Sequence, residues 1–173
     1  MANNLASAFG AKFNKEAIRT RSFELGGHTF KVRVPLTAEV EAMNERLKVE
    51  DADTIEKYYK LLTDDLVKLK AETPKDAKIE FTENDVIVEG RSMREAATNK
   101  ALTEQRITEM FKLLVPEVED FDMSTITYDM VEELFPFALQ IQVMEYIAET
   151  ISPEYSTTRG KSLGQSENKL KRT

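Results

Sequence analysis

Between Leu113 and Thr158 the chain has no lysine or arginine, ten acidic residues and many large apolar ones. Apolar side chains at that density need cover, either in a core or against another molecule. The pattern then reverses. From Arg159 to Thr173, Arg159, Lys161, Lys169, Lys171 and Arg172 face Glu167 as the single acid, among small polar residues. An acidic, apolar, helical region that runs into a basic tail suits a partner surface better than a catalytic pocket.

At 173 residues the expected organisation is one domain, or one domain plus a tail, with enough chain to bury a substantial core. We divide it into an N-terminal arm over 1–20, a single domain over 21–152 and a flexible basic tail over 153–173. Hydrophobic content of 41% and charged content of 32% describe a soluble, helix-rich protein. From Glu154 onward five basic residues meet two acidic ones, which leaves 19 basic against 29 acidic residues in the rest. So acidic a body is a poor partner for phosphate backbones, whose binding depends on lysine and arginine, and no nucleic acid is expected. With no cysteine, disulfides and thiolate metal sites are excluded. The N-terminus has neither the charged start nor the apolar run of a signal peptide. No stretch reaches the roughly 18 uncharged apolar residues that a membrane span needs.

The fold class expected is α+β and predominantly helical: N-terminal β-hairpins packed with four to five helices, followed by the tail. Ser22 to Val34 reads as a hairpin, with Phe23 and Leu25, then Phe30, Val32 and Val34, alternating with polar neighbours around Gly26-Gly27. Pro35 ends it. Thr37 is placed to cap a helix running to about Lys48, with Glu39 and Glu41 in its first turn. A second helix is expected from Asp53, with Glu56 at capping-box spacing. Its stripe of Ile55, Tyr59, Leu62, Leu66 and Leu69 is expected to pack on the body or on a partner helix.

A second hairpin spans Lys78 to Glu89, where Ile79 and Phe81, then Val86 and Val88, alternate around Glu83-Asn84-Asp85. Ser92 and Glu95 form a further capping box. The helix they open carries Met93, Ala97, Ala101, Ile107, Met110, Phe111 and Leu114, up to Pro116. An acidic loop follows. A helix from about Thr127 breaks at Pro136 and resumes from Phe137 to about Ile151. In residues 1–20, Leu5, Ala8, Phe9 and Phe13 fit either a short amphipathic helix or a frayed arm.

Catalytic and ligand signatures are weak. His28, the one histidine, follows the glycine turn and reads as an exposed turn residue. Asp120, Asp122 and Ser124 alternate like the start of a calcium loop. The sixth and twelfth positions, which require glycine and glutamate, are Thr125 and Val131. Gly160-Lys161-Ser162 matches only the end of a phosphate loop, because Tyr155 stands where its first glycine belongs. No catalytic residue, metal or cofactor is expected.

Phe121, Tyr128, Met130, Phe135, Phe137, Met144 and Tyr146 are many adaptable side chains for so short a stretch. Two readings stand, ordinary core packing and a partner groove. The missing lysine and arginine favour a basic or apolar partner.

The segment Phe23-Glu-Leu-Gly-Gly-His-Thr-Phe30-Lys-Val-Arg-Val-Pro35-Leu-Thr-Ala-Glu-Val40 resembles the tail-assembly chaperones of long-tailed bacteriophages. The shared layout is a strand, a glycine turn, a second strand and a threonine-capped acidic helix. It covers mainly residues 22–48. The resemblance implies a non-enzymatic protein of the host cell cytoplasm that coats the tape-measure protein and helps tail-tube protein subunits polymerise. It implies absence from the finished virion and a possible homo-oligomer. It also implies a second, longer product made by ribosomal frameshifting. Arg159-Gly160-Lys161 is compatible with a slippery codon run there, and equally with an ordinary basic tail. On this reading Phe135, Phe137, Ile141, Met144 and Ile147 lie on or behind the client surface. The alternative is a small structural virion protein, associated with the tail tube, connector or tail completion.

Overall fold

Gly26 and Gly27 both adopt positive φ, 61° and 79°, the pair of left-handed residues that a type I′ hairpin turn requires. They join β1 (Thr20–Leu25) to β2 (His28–Arg33), with Phe23 opposite Phe30 and Leu25 opposite His28. A computed structural model describes residues 5–72 and 78–152. Its α+β architecture holds seven α-helices and two antiparallel three-stranded sheets among the described residues.

Contacts divide the chain into two compact units where the sequence reads as a single domain over 21–152. One unit holds the residues before Glu41 and after Arg106, and the other is Glu41–Arg106. The boundaries fall inside α3 (Thr37–Lys48) and α5 (Met93–Phe111). The expected tail over 153–173 lies outside the described residues.

The first unit opens with the short helices α1 (Leu5–Ala8) and α2 (Lys15–Arg19). Asn14 caps α2, its side chain accepting from the Glu16 and Ala17 amides at 3.0 and 3.2 Å. Arg19 then joins the arm to the strand end: its backbone carbonyl accepts from the Val34 amide at 2.7 Å, and its Nε donates to the Val34 carbonyl at 3.1 Å.

Glu39 gathers the start of α3. It accepts from the Leu36 amide at 2.6 Å and pairs with the guanidiniums of Arg19 and Arg33. The cap is thus the backbone of Leu36, with Glu39 reaching back to it, rather than the Thr37 hydroxyl that the sequence suggested. The Leu36 amide, helped by Arg33 and Arg19, holds the Glu39 carboxyl below its ordinary range.

β6 (Leu114–Val115) pairs antiparallel with β2 and completes the sheet order β1-β2-β6. The sequence reading carried the α5 helix through Leu114. The helix stops at Phe111 instead, and the Leu113 carbonyl accepts from the Arg33 amide at 2.8 Å. The apolar run continues past the helix end because Leu113, in the turn, and Leu114, in the strand, pack in the same core.

The rest of the unit is a 3-10 turn (Met123–Thr125), α6 (Tyr128–Leu134) and α7 (Phe137–Ile151). The Thr127 hydroxyl accepts from the Met130 amide at 3.4 Å and caps α6, and Pro136 separates the two helices. Phe23, Val32, Ile107, Phe111, Leu113, Val131, Val143 and Ile147 form the core. The Phe23 ring stacks on Phe30 at 5.3 Å and on Tyr146 at 5.4 Å, so the hairpin's inward face meets α7.

In the second unit α4 (Ala52–Lys68) is capped by Asp51, which accepts from the Thr54 amide at 3.1 Å, two residues before the expected start. The hairpin of β3 (Ile79–Phe81) and β4 (Val86–Val88) forms as expected. A further strand, β5 (Arg91–Ser92), returns through Glu89 and Gly90, both at positive φ. Asp85 ties this sheet to α5. Its carboxylate accepts from the Val86 and Arg94 amides at 2.8 and 3.0 Å and from the Ser92 hydroxyl. Burial pushes the Asp85 carboxyl up, but these donors and nearby Arg94 outweigh it and leave the group below its ordinary range.

Ile55, Ala97 and Ala101 form a small core with Tyr58 and Tyr59 packed against it. The α4 stripe is only partly buried. Ile55 is inside, whereas Leu62 and Leu69 are 42% and 53% exposed. The buried side of the helix swings toward Thr63, whose hydroxyl donates to the Tyr59 carbonyl at 2.7 Å.

Candidate partner-binding face

The buried carboxylates are engaged in structure. Glu104 accepts from Lys100 and from the Tyr58 hydroxyl, and Glu109 accepts from Lys112 at 2.8 Å. Among the described residues no group of three or more His, Asp or Glu side chains is arranged to hold a metal ion. In the acidic loop Asp122 caps the 3-10 turn, accepting from the Ser124 amide at 2.9 Å. His28 is exposed at its turn with its ring edge-on to Phe30 at 4.6 Å. An open surface groove of about 560 Å³ on α3 is lined by Glu41, Asn44, Glu45, Leu47, Lys48 and Arg106. Its mixed charges, with Lys48 paired to Glu45 at 2.6 Å, select no ligand class.

The corner between α6 and α7 is different. Pro136 has no amide proton and cannot continue α6, so the chain turns between Phe135 and Phe137. Gln140 closes the corner from inside: it is 1% exposed, and its Nε2 donates to the Phe135 carbonyl at 2.7 Å. Its Oε1 is buried without a hydrogen-bond partner among the described residues.

The five expected partner residues divide into an outer and an inner set. Phe137 is 57% exposed. Ile141 and Met144 are half-buried, packed on the core from its rim. Phe137, Ile141 and Met144 are spaced four and three apart, so they form one stripe along α7. Phe135 lies behind it, its ring edge-on to Phe111 at 5.3 Å and tilted against Phe30 at 6.4 Å. Ile147 has no exposed surface and supports the face only as core.

Sequence reasoning missed Leu134, which is 77% exposed, and gave Met130, 39% exposed, only as one of several aromatic and methionine positions. They sit four residues apart on α6, so they share a side of that helix, and Leu134 precedes Phe137 by three residues across the corner. About three-quarters of a large leucine surface left in water is the kind of feature that marks an interaction site. The signal available was the position just before the Phe-Pro break, where a short helix runs out of partners. The segment from Leu113 to Thr158 itself supplies no lysine or arginine to this face.

No family model, curated protein or solved structure matches this chain.

Proposed function

We propose that the chain is a non-enzymatic assembly chaperone of long-tailed phages. On this reading it works in the host cell cytoplasm, covers the apolar faces of the tape-measure protein and hands it to tail-tube subunits. The observation that carries this reading is the exposed apolar corner of Leu134 and Phe137, continued by Ile141 and Met144, on helices packed against the core. A long helical client with bare apolar faces aggregates unless those faces are covered, and a helix-on-face mode covers them. The acidic surface, with a formal net charge of −7 for the whole chain, keeps such complexes dispersed. The hairpin and the acidic helix of residues 22–48 fit the resemblance, although Leu36 and Glu39 rather than Thr37 cap that helix, and the absence of a helix long and apolar enough to cross a membrane among the described residues is compatible with it.

Co-expression with the tape-measure protein of the same genome tests the reading. The client is expected in the soluble fraction with this chain and in the pellet without it. Mass spectrometry of purified particles separates the structural alternative, because a chaperone is missing from finished virions. A pelleted client, or this chain at stoichiometric level in the particles, would refute the reading.

A further inference from the structure

The apolar stripe of the α6–α7 corner is bordered by acids alone within its own segment. Glu145 follows Ile141 by four residues, so it flanks the stripe on the solvent side of α7. Glu133 adjoins Leu134 at the end of α6. Both are exposed, and among the described residues neither has a cationic partner. An apolar strip with a one-sign rim discriminates by charge as well as by shape. A matching rim speeds and orients association, whereas a like-charged rim is rejected.

We infer that this face takes an amphipathic helix whose apolar stripe is bordered by lysine or arginine. The inference rests on the client-binding reading and narrows it to a class of client segment. From Phe137 to Met144 the stripe runs about 10 Å, and Leu134 extends it, so the partner segment needs about three helical turns. A second copy of this chain is disfavoured as occupant, because the same face on both molecules would set Glu133 and Glu145 against their own copies.

The test uses the whole chain and three synthetic helical peptides of about 18 residues that share one leucine stripe and differ only in flanking lysine, glutamine or glutamate. Fluorescence anisotropy is read at about 50 and about 500 mM salt. The lysine-flanked peptide is expected to bind about tenfold more tightly than the glutamate-flanked one at low salt, with the gap closing at high salt. Phe137→Ser should weaken the lysine peptide about tenfold. Glu133→Lys with Glu145→Lys should abolish or invert the charge preference while the apolar contribution persists.

Equal binding of the lysine and glutamate peptides would overturn the inference, as would a lysine preference that survives the double charge reversal. So would self-association of the chain that Phe137→Ser abolishes in the absence of peptide binding. If the tape-measure client is still solubilised in those cases, the chaperone reading stands without the charge rule. If neither client nor any peptide binds, the chaperone reading itself falls.

Discussion

Gln140 donates from a fully buried position to the carbonyl of Phe135, 2.7 Å away, across the proline that separates two helices. With the core packing of Val143 and Ile147, this bond ties the start of α7 to the end of α6, beside the exposed Leu134 and Phe137. Removing the whole side chain by Gln140→Ala loses the bond and leaves a cavity, which is expected to cost about 2–4 kcal/mol in urea unfolding. Gln140→Met also loses the bond but keeps the volume and removes the unsatisfied Oε1, so about 1 kcal/mol is expected. Equal losses in the two variants would show that the lost side-chain volume carries no cost.

Stability and binding should separate along α7. Ile147→Ala empties a fully buried site and is expected to destabilise by about 2–4 kcal/mol. Leu134→Ser removes a side chain that is 77% exposed and should change stability by less than about 0.5 kcal/mol while weakening client binding. Thermal unfolding and a client pull-down on the same two variants check both halves.

The Glu39 carboxyl is held below its ordinary range by the Leu36 amide and the two guanidiniums. A group with a depressed folded pKa stabilises above its unfolded value, and that stability is lost as pH falls through the folded value. The urea midpoint is therefore expected to drop as pH falls below about 4, and Glu39→Gln should flatten that part of the curve. Because the carboxylate is partly exposed, the loss at neutral pH should be only about 1 kcal/mol. A variant with an unchanged acid limb would contradict the assignment.

In the other unit Asp85 is the joint between sheet and helix. Asp85→Ala strands the Val86 and Arg94 amides and the Ser92 hydroxyl, and is expected to cost about 1–3 kcal/mol. Hydrogen exchange should then speed up first at the Arg94 amide and the start of α5. If exchange there is unchanged, Asp85 is not the cap described.

Much of this architecture was legible from residue pattern. Alternation around Gly26-Gly27 and around Glu83-Asn84-Asp85 gave both hairpins, and Thr127 and Pro136 marked the starts of the last two helices. What failed did so for local physical reasons. Leu114 fits a helical period as well as a strand, and only pairing with Val32 decides between them. Leu62 and Leu69 continue a stripe that the small core around Ile55 does not cover. Gln140 reads as solvated from composition, and its burial depends on a carbonyl five residues earlier that Pro136 has turned inward. Four of the five candidate residues fall on α7 and Phe135 lies just past the end of α6, but nothing in their spacing separated Phe137, facing water, from Ile147, facing the core.

On the proposed reading the α6–α7 corner, rather than the exposed leucines of α4, engages the client. The most direct test measures the affinity of the native chain and of a Leu134→Ser, Phe137→Ser variant for one fragment of the tape-measure protein, by calorimetry. Circular dichroism first confirms that the variant is folded. The account predicts a loss of at least about tenfold in the folded variant, with Leu62→Ser and Leu69→Ser on α4 leaving affinity unchanged. Undiminished binding by the corner variant would contradict it, as would a loss produced by the α4 substitutions instead.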